Sequence, residues 1–261
     1  MHHNVKYLIK KYGLTPKKRW SQYFLVSLPI IQAMARYARG TVLEIGPGLG
    51  CITAELAERA EKVIAVEKDW RMVNILKKEY SFTNVEIIQG DITTVPLPRF
   101  DRVISNIPYH LSSQITFQLL EYDCELAVLS YQKEFADRLV AHIPSVDTSR
   151  LTVMAHIRAD CKILRYIPRT AYYPVPKTDC ALVEIIPNRK IEPDTFFENV
   201  IRALFSHKRK TIQNALFSSR DLIGIPENHL KAYNIPFREK RAEMLTLDEI
   251  CTLVDFLRGL T

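Results

Sequence analysis

The chain has 261 residues, 47% of them hydrophobic and 25% charged, which excludes a disordered, collagenous or fibrous protein. No apolar run approaches the roughly 18 residues of a membrane span, and the basic start lacks the apolar stretch of a secretory signal. Five scattered cysteines with no CxxC pair indicate a reducing compartment and neither a disulfide frame nor a metal site. The formal net charge of +7 is unevenly placed. Residues 1–25 hold Lys6, Lys10, Lys11, Lys17, Lys18 and Arg19 and no acid, whereas 26–186 hold 18 bases and 19 acids. A basic arm of this kind commonly lacks order unless something pins it. Its interleaved Tyr7, Tyr12, Trp20, Tyr23 and Phe24 suit stacking on bases, so the arm is expected to contact nucleic acid.

Past the arm, short β-branched runs alternate with helical patterns, which predicts βαβ units and a mostly parallel sheet. Strands are expected at 41–45, 63–66, 85–89, 102–105 and 126–130, with helices at 51–60, 71–80, 113–120 and 134–141. Two later runs, 162–166 and 180–186, are joined by a Pro-rich loop with no helix between them and are expected to form an antiparallel hairpin. After a charged, Pro-containing break at 187–193 the pattern is helical, at 195–205, 211–217, 227–233 and 247–260. The expected organisation is therefore a basic arm (1–25), a Rossmann-like α/β domain (26–187) whose final strand is antiparallel, and a small all-α domain (188–261).

The segment Leu43-Glu44-Ile45-Gly46-Pro47-Gly48-Leu49-Gly50 runs from a strand through a glycine turn into a helix, the context a nucleotide-type cofactor requires. A dinucleotide fingerprint starting at Gly46 needs a third glycine where the chain has Cys51. Glycines at 46, 48 and 50 behind Glu44 instead fit the E-x-G-x-G-x-G pattern of S-adenosylmethionine enzymes. The next strand ends in Glu67, 21 positions after Gly46, where a carboxylate can accept hydrogen bonds from both ribose hydroxyls. A third strand ends at Gly90-Asp91, with Asp91 available to an adenine amino group.

The fourth strand runs into Asn106-Ile107-Pro108-Tyr109. An exocyclic adenine amine is a poor nucleophile because its lone pair is delocalised into the ring. The Asn106 carbonyl and a neighbouring backbone carbonyl can each accept one amine hydrogen, Pro108 fixes the backbone, and Tyr109 can stack on an extruded base. With an activated sulfonium donor no strong general base is needed, so catalysis rests on positioning and electrostatics. The loop Ala171-Tyr172-Tyr173-Pro174-Val175-Pro176-Lys177 offers a second aromatic wall, Tyr172, and a cation for phosphate, Lys177.

Taken together, these motifs resemble the ribosomal RNA adenine dimethyltransferase family of the KsgA type. The resemblance spans Lys18-Arg19-Trp20-Ser21-Gln22-Tyr23-Phe24-Leu25, LEIGPGLG, Glu67, Gly90-Asp91, NIPY, the run 128–136, YYPVPK, 205–211 and Arg241-Ala242-Glu243-Met244-Leu245. It implies that Gln22, Tyr23, Leu25, Gly46, Gly48, Glu67, Asp91, Ile92 and Asn106 meet S-adenosylmethionine, and that Asn106, Pro108, Tyr109 and Tyr172 grip the target adenine. It implies RNA contacts from Lys17, Lys18, Arg19, Lys177, Lys208, Arg209 and Lys210, and no metal. The substrate it implies is small-subunit rRNA in an immature small ribosomal subunit, with two adjacent adenosines near the 3′ end dimethylated at N6 by a monomeric, cytoplasmic enzyme. The chain departs from the family pattern at Ser21, Tyr23 and Ser149, where the family has Gly, Asn or His, and Gly. The rival readings are a large-subunit rRNA methyltransferase of the antibiotic-resistance type and a non-catalytic RNA-binding assembly factor; intact Glu67, Asp91 and Asn106 speak against the latter. An NAD oxidoreductase is disfavoured by Cys51.

Overall fold

The computed structural model describes residues 5–17, 20, 22–188 and 192–260. The elements in chain order are α1 (Val5–Lys11), β1 (Phe24–Leu25), α2 (Leu28–Ala35), β2 (Thr41–Ile45), α3 (Cys51–Ala57), β3 (Lys62–Glu67), α4 (Trp70–Glu79), β4 (Val85–Gln89), β5 (Arg102–Asn106), α5 (Ser112–Leu119), β6 (Leu126–Gln132), α6 (Lys133–Leu139), α7 (Arg150–Arg158), β7 (Ala159–Ile167), β8 (Tyr172–Tyr173), β9 (Cys180–Pro187), α8 (Thr195–Ser206), α9 (Ile212–Ser218), α10 (Arg220–Ile223), α11 (Glu227–Ala232) and α12 (Leu247–Arg258).

The chain divides into two compact units. The first runs to Asp137 and resumes at Asp160–Pro187; the second comprises Arg138–Ala159 and the chain from Asn188 onward. The segment 138–159 thus groups with the C-terminal helices, whereas the sequence pattern reads 26–187 as one stretch. Within it lies α7, outside the expected helices, with Ser149 as its N-cap: the hydroxyl accepts the Thr152 N–H, and Thr152 reciprocates in a capping box. A serine at the family's glycine position therefore starts a helix.

The first unit is built on a seven-stranded sheet of order β4-β3-β2-β5-β6-β9-β7. Strands β2 to β6 pair parallel, and β9 runs antiparallel to β6, with Ser130 opposite Leu182. The expected pair, β7 and β9, are indeed neighbours, and the later strand lies between β6 and β7. Order reverses at β2, so the carboxyl ends of β2 and β5 flank the crevice where open α/β sheets bind ligands. The strands are apolar on both faces because helices cover both: Val42, Leu43, Val63, Ile64, Val103, Ile104, Val128 and Leu129 are all buried.

The basic arm is more ordered than its composition suggests. Val5 and Leu8 of α1 are buried with Leu49, Met72 and Ile75, and Lys11 pairs with Glu79 at 2.7 Å. Farther along, β1 pairs antiparallel with β8, Phe24 opposite Tyr173 and Leu25 opposite Tyr172. An apolar i, i+3 pair on a seven-residue helix is what pins the arm, a signal its lysines hide.

In the second unit, α8, α9 and α12 bury Val200, Ile201, Leu204, Leu216, Leu253 and Leu257. Asp194 caps α8 through the Phe197 N–H at 2.8 Å and also pairs with Arg258. Thr246 and Glu249 form a capping box on α12.

Candidate active site

At the carboxyl ends of β2, β3 and β5 lies a cleft of about 960 Å³, including space open to solvent. It is lined by the glycine turn, Glu67, Lys68, Asp91, Ile92, Asn106 and Pro108, and by Trp20 and Gln22–Leu25 of the arm. The turn that forms its floor needs its glycines. Gly48 has φ +57°, and a Cβ there would lie 2.9 Å from the Phe24 ring. Gly50 has φ +81° and faces Leu76 and Tyr80 just as closely. The glycines thus let the turn pack tightly against Phe24, Leu76 and Tyr80 while its backbone lines the cleft.

Glu67 ends β3 and is buried, with its Oε2 accepting the Gly48 N–H (3.0 Å) and its Oε1 the Asp69 N–H (2.8 Å). Burial pushes its carboxyl up from the usual range, and these N–H donors oppose that rise. Asp91 sits in the opposite regime. Lys68 Nζ lies 2.6 Å from Oδ2, and the Thr93 N–H and hydroxyl donate to Oδ1, holding the carboxyl down at about 2. Lys68 directly follows Glu67 at the strand end, a position no sequence motif marks. Glu44, also on the cleft, is only 1% exposed; burial raises its carboxyl to about 8, with Glu67 adding to the rise. Its Oε2 has no hydrogen-bond partner.

Gln22 acts as a strut that the sequence did not reveal. Its side chain accepts the Lys17 N–H (2.8 Å) and donates to Asp69 Oδ2 (3.0 Å), fastening the arm to the N-cap of α4. Burial disfavours the charge on Asp69, yet hydrogen bonds from Arg71 and Gln22 together hold its carboxyl below the usual value.

Asn106 ends β5. Its Nδ2 donates to the Tyr23 carbonyl at 2.9 Å, which turns Oδ1 away from the arm; Oδ1 is buried and without a partner. A buried, unsatisfied amide oxygen costs about 1–3 kcal/mol, a cost that a ligand N–H relieves. Pro108 lines the same cleft, and Tyr109 follows it.

Not every expected residue sits where the pattern suggested. Tyr172 is 1% exposed, belongs to the apolar core of the first unit and hydrogen-bonds Ser130 Oγ at 2.7 Å. It meets Tyr109 edge-on, with centroids 6.5 Å apart, and supports that ring from behind in place of forming an open wall. The pairing of β8 with β1 is what draws it inward. Lys177 is exposed on its loop and does not line the cleft. Lys17 sits over the Trp20 ring at 3.9 Å. Lys208, half-buried in the second unit, lies 3.5 Å from Glu243; Arg209 and Lys210 are exposed. Lys18, Arg19 and Ser21 lie outside the described residues.

A glycine cradle, an acid at the end of each of the next two strands, and an unpartnered amide oxygen suit a sulfonium nucleoside cofactor and an amine-bearing base. The family model for ribosomal RNA adenine dimethylases matches residues 13–257. The chain belongs to this family. Its cofactor is S-adenosylmethionine, and it is an rRNA adenine methyltransferase. Curated relatives named probable ribosomal RNA small subunit methyltransferase A include those of Thermococcus sibiricus, 43% identical over 99% of this chain and 98% of theirs, and Pyrococcus furiosus, 42% identical over the same shares. Among solved structures, a dimethyladenosine transferase from Plasmodium falciparum superposes with a TM-score of 0.76 at 27% identity, covering 90% of this chain and 98% of that one. The 23S rRNA methyltransferase ErmE superposes less well, at 0.66 and 25% identity, covering 90% and 99%. Among the described residues no helix is long and apolar enough to cross a membrane.

Proposed function

We propose that this chain dimethylates N6 of two adjacent adenosines near the 3′ end of small-subunit rRNA, acting as a cytoplasmic monomer on an immature small subunit. Asn106 carries the reading. Held through Nδ2 by the Tyr23 carbonyl, it presents a desolvated Oδ1 that has no partner within the protein. An N6 amine hydrogen suits that acceptor, and accepting it turns the nitrogen lone pair toward the cleft. S-adenosylmethionine, when bound, supplies an activated methyl group. Around it the residues bind and orient: the Gly46–Gly50 turn forms the floor, Glu67 and Asp91 offer acceptors, and Ile92 and Leu25 line the cleft with apolar surface. Such preorganised acceptors act in a water-poor site, where they count for more than in solution.

The choice of the small subunit is supported by the names of relatives that match this chain over nearly its whole length, and by the better fit to the dimethyladenosine transferase than to ErmE. RNA as substrate is supported by one face of the first unit. Lys11 lies over the Tyr7 and Tyr12 rings at 5.6 and 5.5 Å, and Lys78 of α4 over Tyr12 at 6.0 Å. With exposed Lys6, Lys10 and Lys77 on the same two helices, this gathers lysines and aromatics of the kind that track a nucleic-acid backbone. The test is methyl transfer from labelled donor to purified small and large subunits, with the modified nucleosides mapped.

A further inference from the structure

The Tyr23 ring lies against the Tyr109 ring, with centroids 5.7 Å apart and planes 19° from parallel. Tyr109 has little freedom to leave. Its hydroxyl contacts Cys180 Sγ at 3.0 Å, and the buried Tyr172 meets it edge-on at 74°. The backbone of Tyr23 is equally fixed. Its carbonyl holds Asn106, Gln22 before it is bonded to Lys17 and Asp69, and Phe24 after it pairs with Tyr173. What remains able to change is the torsion of the Tyr23 side chain, a rotation between staggered wells.

We propose that Tyr23 is a placeholder for the target base: its ring covers Tyr109 in the substrate-free protein and swings away when an extruded adenine stacks there. The inference rests on the adenine reading above. An offset aromatic pair is worth about 0.5–1.5 kcal/mol beyond the area it buries, so an entering base must first replace that pair. Any base offers a π-face of similar worth, and stacking alone therefore gains little. A base whose amine also satisfies Asn106 Oδ1 gains an interaction that Tyr23 cannot supply. Tyr23 thereby sets a threshold that every entering base must pass, one that the amine contact to Asn106 helps adenine to pass, and it does so without touching the reacting atoms.

The test uses the full chain and an RNA hairpin of the small-subunit 3′ end carrying either adenine or 2-aminopurine at the target position. Tyr23→Ala is expected to lower the KM for the adenine hairpin by about 2- to 12-fold, the fold-change equivalent to that stacking energy. Quenching of 2-aminopurine, which lacks the N6 amine, should saturate at correspondingly lower protein concentration. Tyr23→Phe keeps the ring and should retain the KM and the titration midpoint of the unsubstituted chain, and thermal unfolding followed by circular dichroism reports that each variant is folded. If Tyr23→Ala does not fold, Tyr23→Leu replaces it, keeping bulk without an aromatic face. A raised KM would make Tyr23 a wall that holds the base, and an unchanged one a bystander; either result overturns the proposal. If the unsubstituted chain transfers no methyl group to adenine in either the hairpin or small subunits, the adenine reading fails instead, and the 2-aminopurine titration still reports on the ring.

Discussion

Replacing Asn106 with alanine removes two interactions of different kinds. The first is the 2.9 Å hydrogen bond from Nδ2 to the Tyr23 carbonyl, an ordinary bond worth about 1 kcal/mol of stability. The second is the unpartnered Oδ1, whose burial costs the resting fold about 1–3 kcal/mol and which on the proposed reading accepts the bound amine. Deleting one preorganised polar group aimed at developing charge typically costs about 10²- to 10³-fold in rate, or roughly 2.7–4 kcal/mol. Asn106→Ala is therefore expected to fold, to bind S-adenosylmethionine within a few-fold of the original affinity, and to transfer methyl groups at least about 100-fold more slowly. Glu67 and the glycine turn, which the substitution does not touch, account for the retained affinity. Single-turnover transfer from labelled donor gives the rate, and calorimetry gives the affinity. Equal turnover would refute the assigned role; a loss of cofactor affinity as large as the loss of rate would make Asn106 a cofactor ligand only.

Other perturbations follow from the same geometry. Gly48→Ala combines a positive φ with a Cβ 2.9 Å from Phe24, so calorimetry should show cofactor affinity reduced about 10-fold or more; unchanged affinity would remove the cradle from the account. Glu44 has its folded-state carboxyl raised from 4.5 to about 8 by burial, so between those values the folded chain holds a proton that the unfolded chain lacks. Its contribution is full below about 4.5 and is lost as pH rises through 8. Glu44→Gln should accordingly raise the melting temperature at pH 8.5 and change it little at pH 5; equal shifts at both would contradict this. Exchanging Lys6, Lys10, Lys77 and Lys78 for glutamine should reduce the slope of log affinity for RNA against log salt by about 3, measured by titration at several salt concentrations, if each meets one phosphate. An unchanged slope would move the RNA elsewhere.

The strands of the large sheet were legible because buried strands write themselves as β-branched runs: 41–45 and 85–89 coincide with β2 and β4, the others differ by one to three residues at their ends, and only the two-residue β1 and β8 have no such run. The glycine turn, Glu67, Asp91 and Asn106 were legible because each ends a strand on one edge of that sheet. Three other features required the fold. The helix of the arm rests on only Val5 and Leu8, which six bases in its neighbourhood obscure. Tyr172 reads as a stacking wall in sequence, and only its pairing opposite Leu25 shows that it faces the core. The Gln22–Asp69 strut joins residues 47 apart, and nothing local in either segment announces it.

In the proposed reaction the acceptor at Asn106 Oδ1 serves the N6 amine of adenosines in small-subunit rRNA. That role is tested most directly by incubating the chain with labelled S-adenosylmethionine and small or large ribosomal subunits, then mapping the methylated nucleosides. N6,N6-dimethyladenosine is expected at two adjacent positions near the 3′ end of the small-subunit RNA, formed at least about 100-fold more slowly with Asn106→Ala. Label confined to large-subunit RNA, or carried on any atom other than adenine N6, would contradict it.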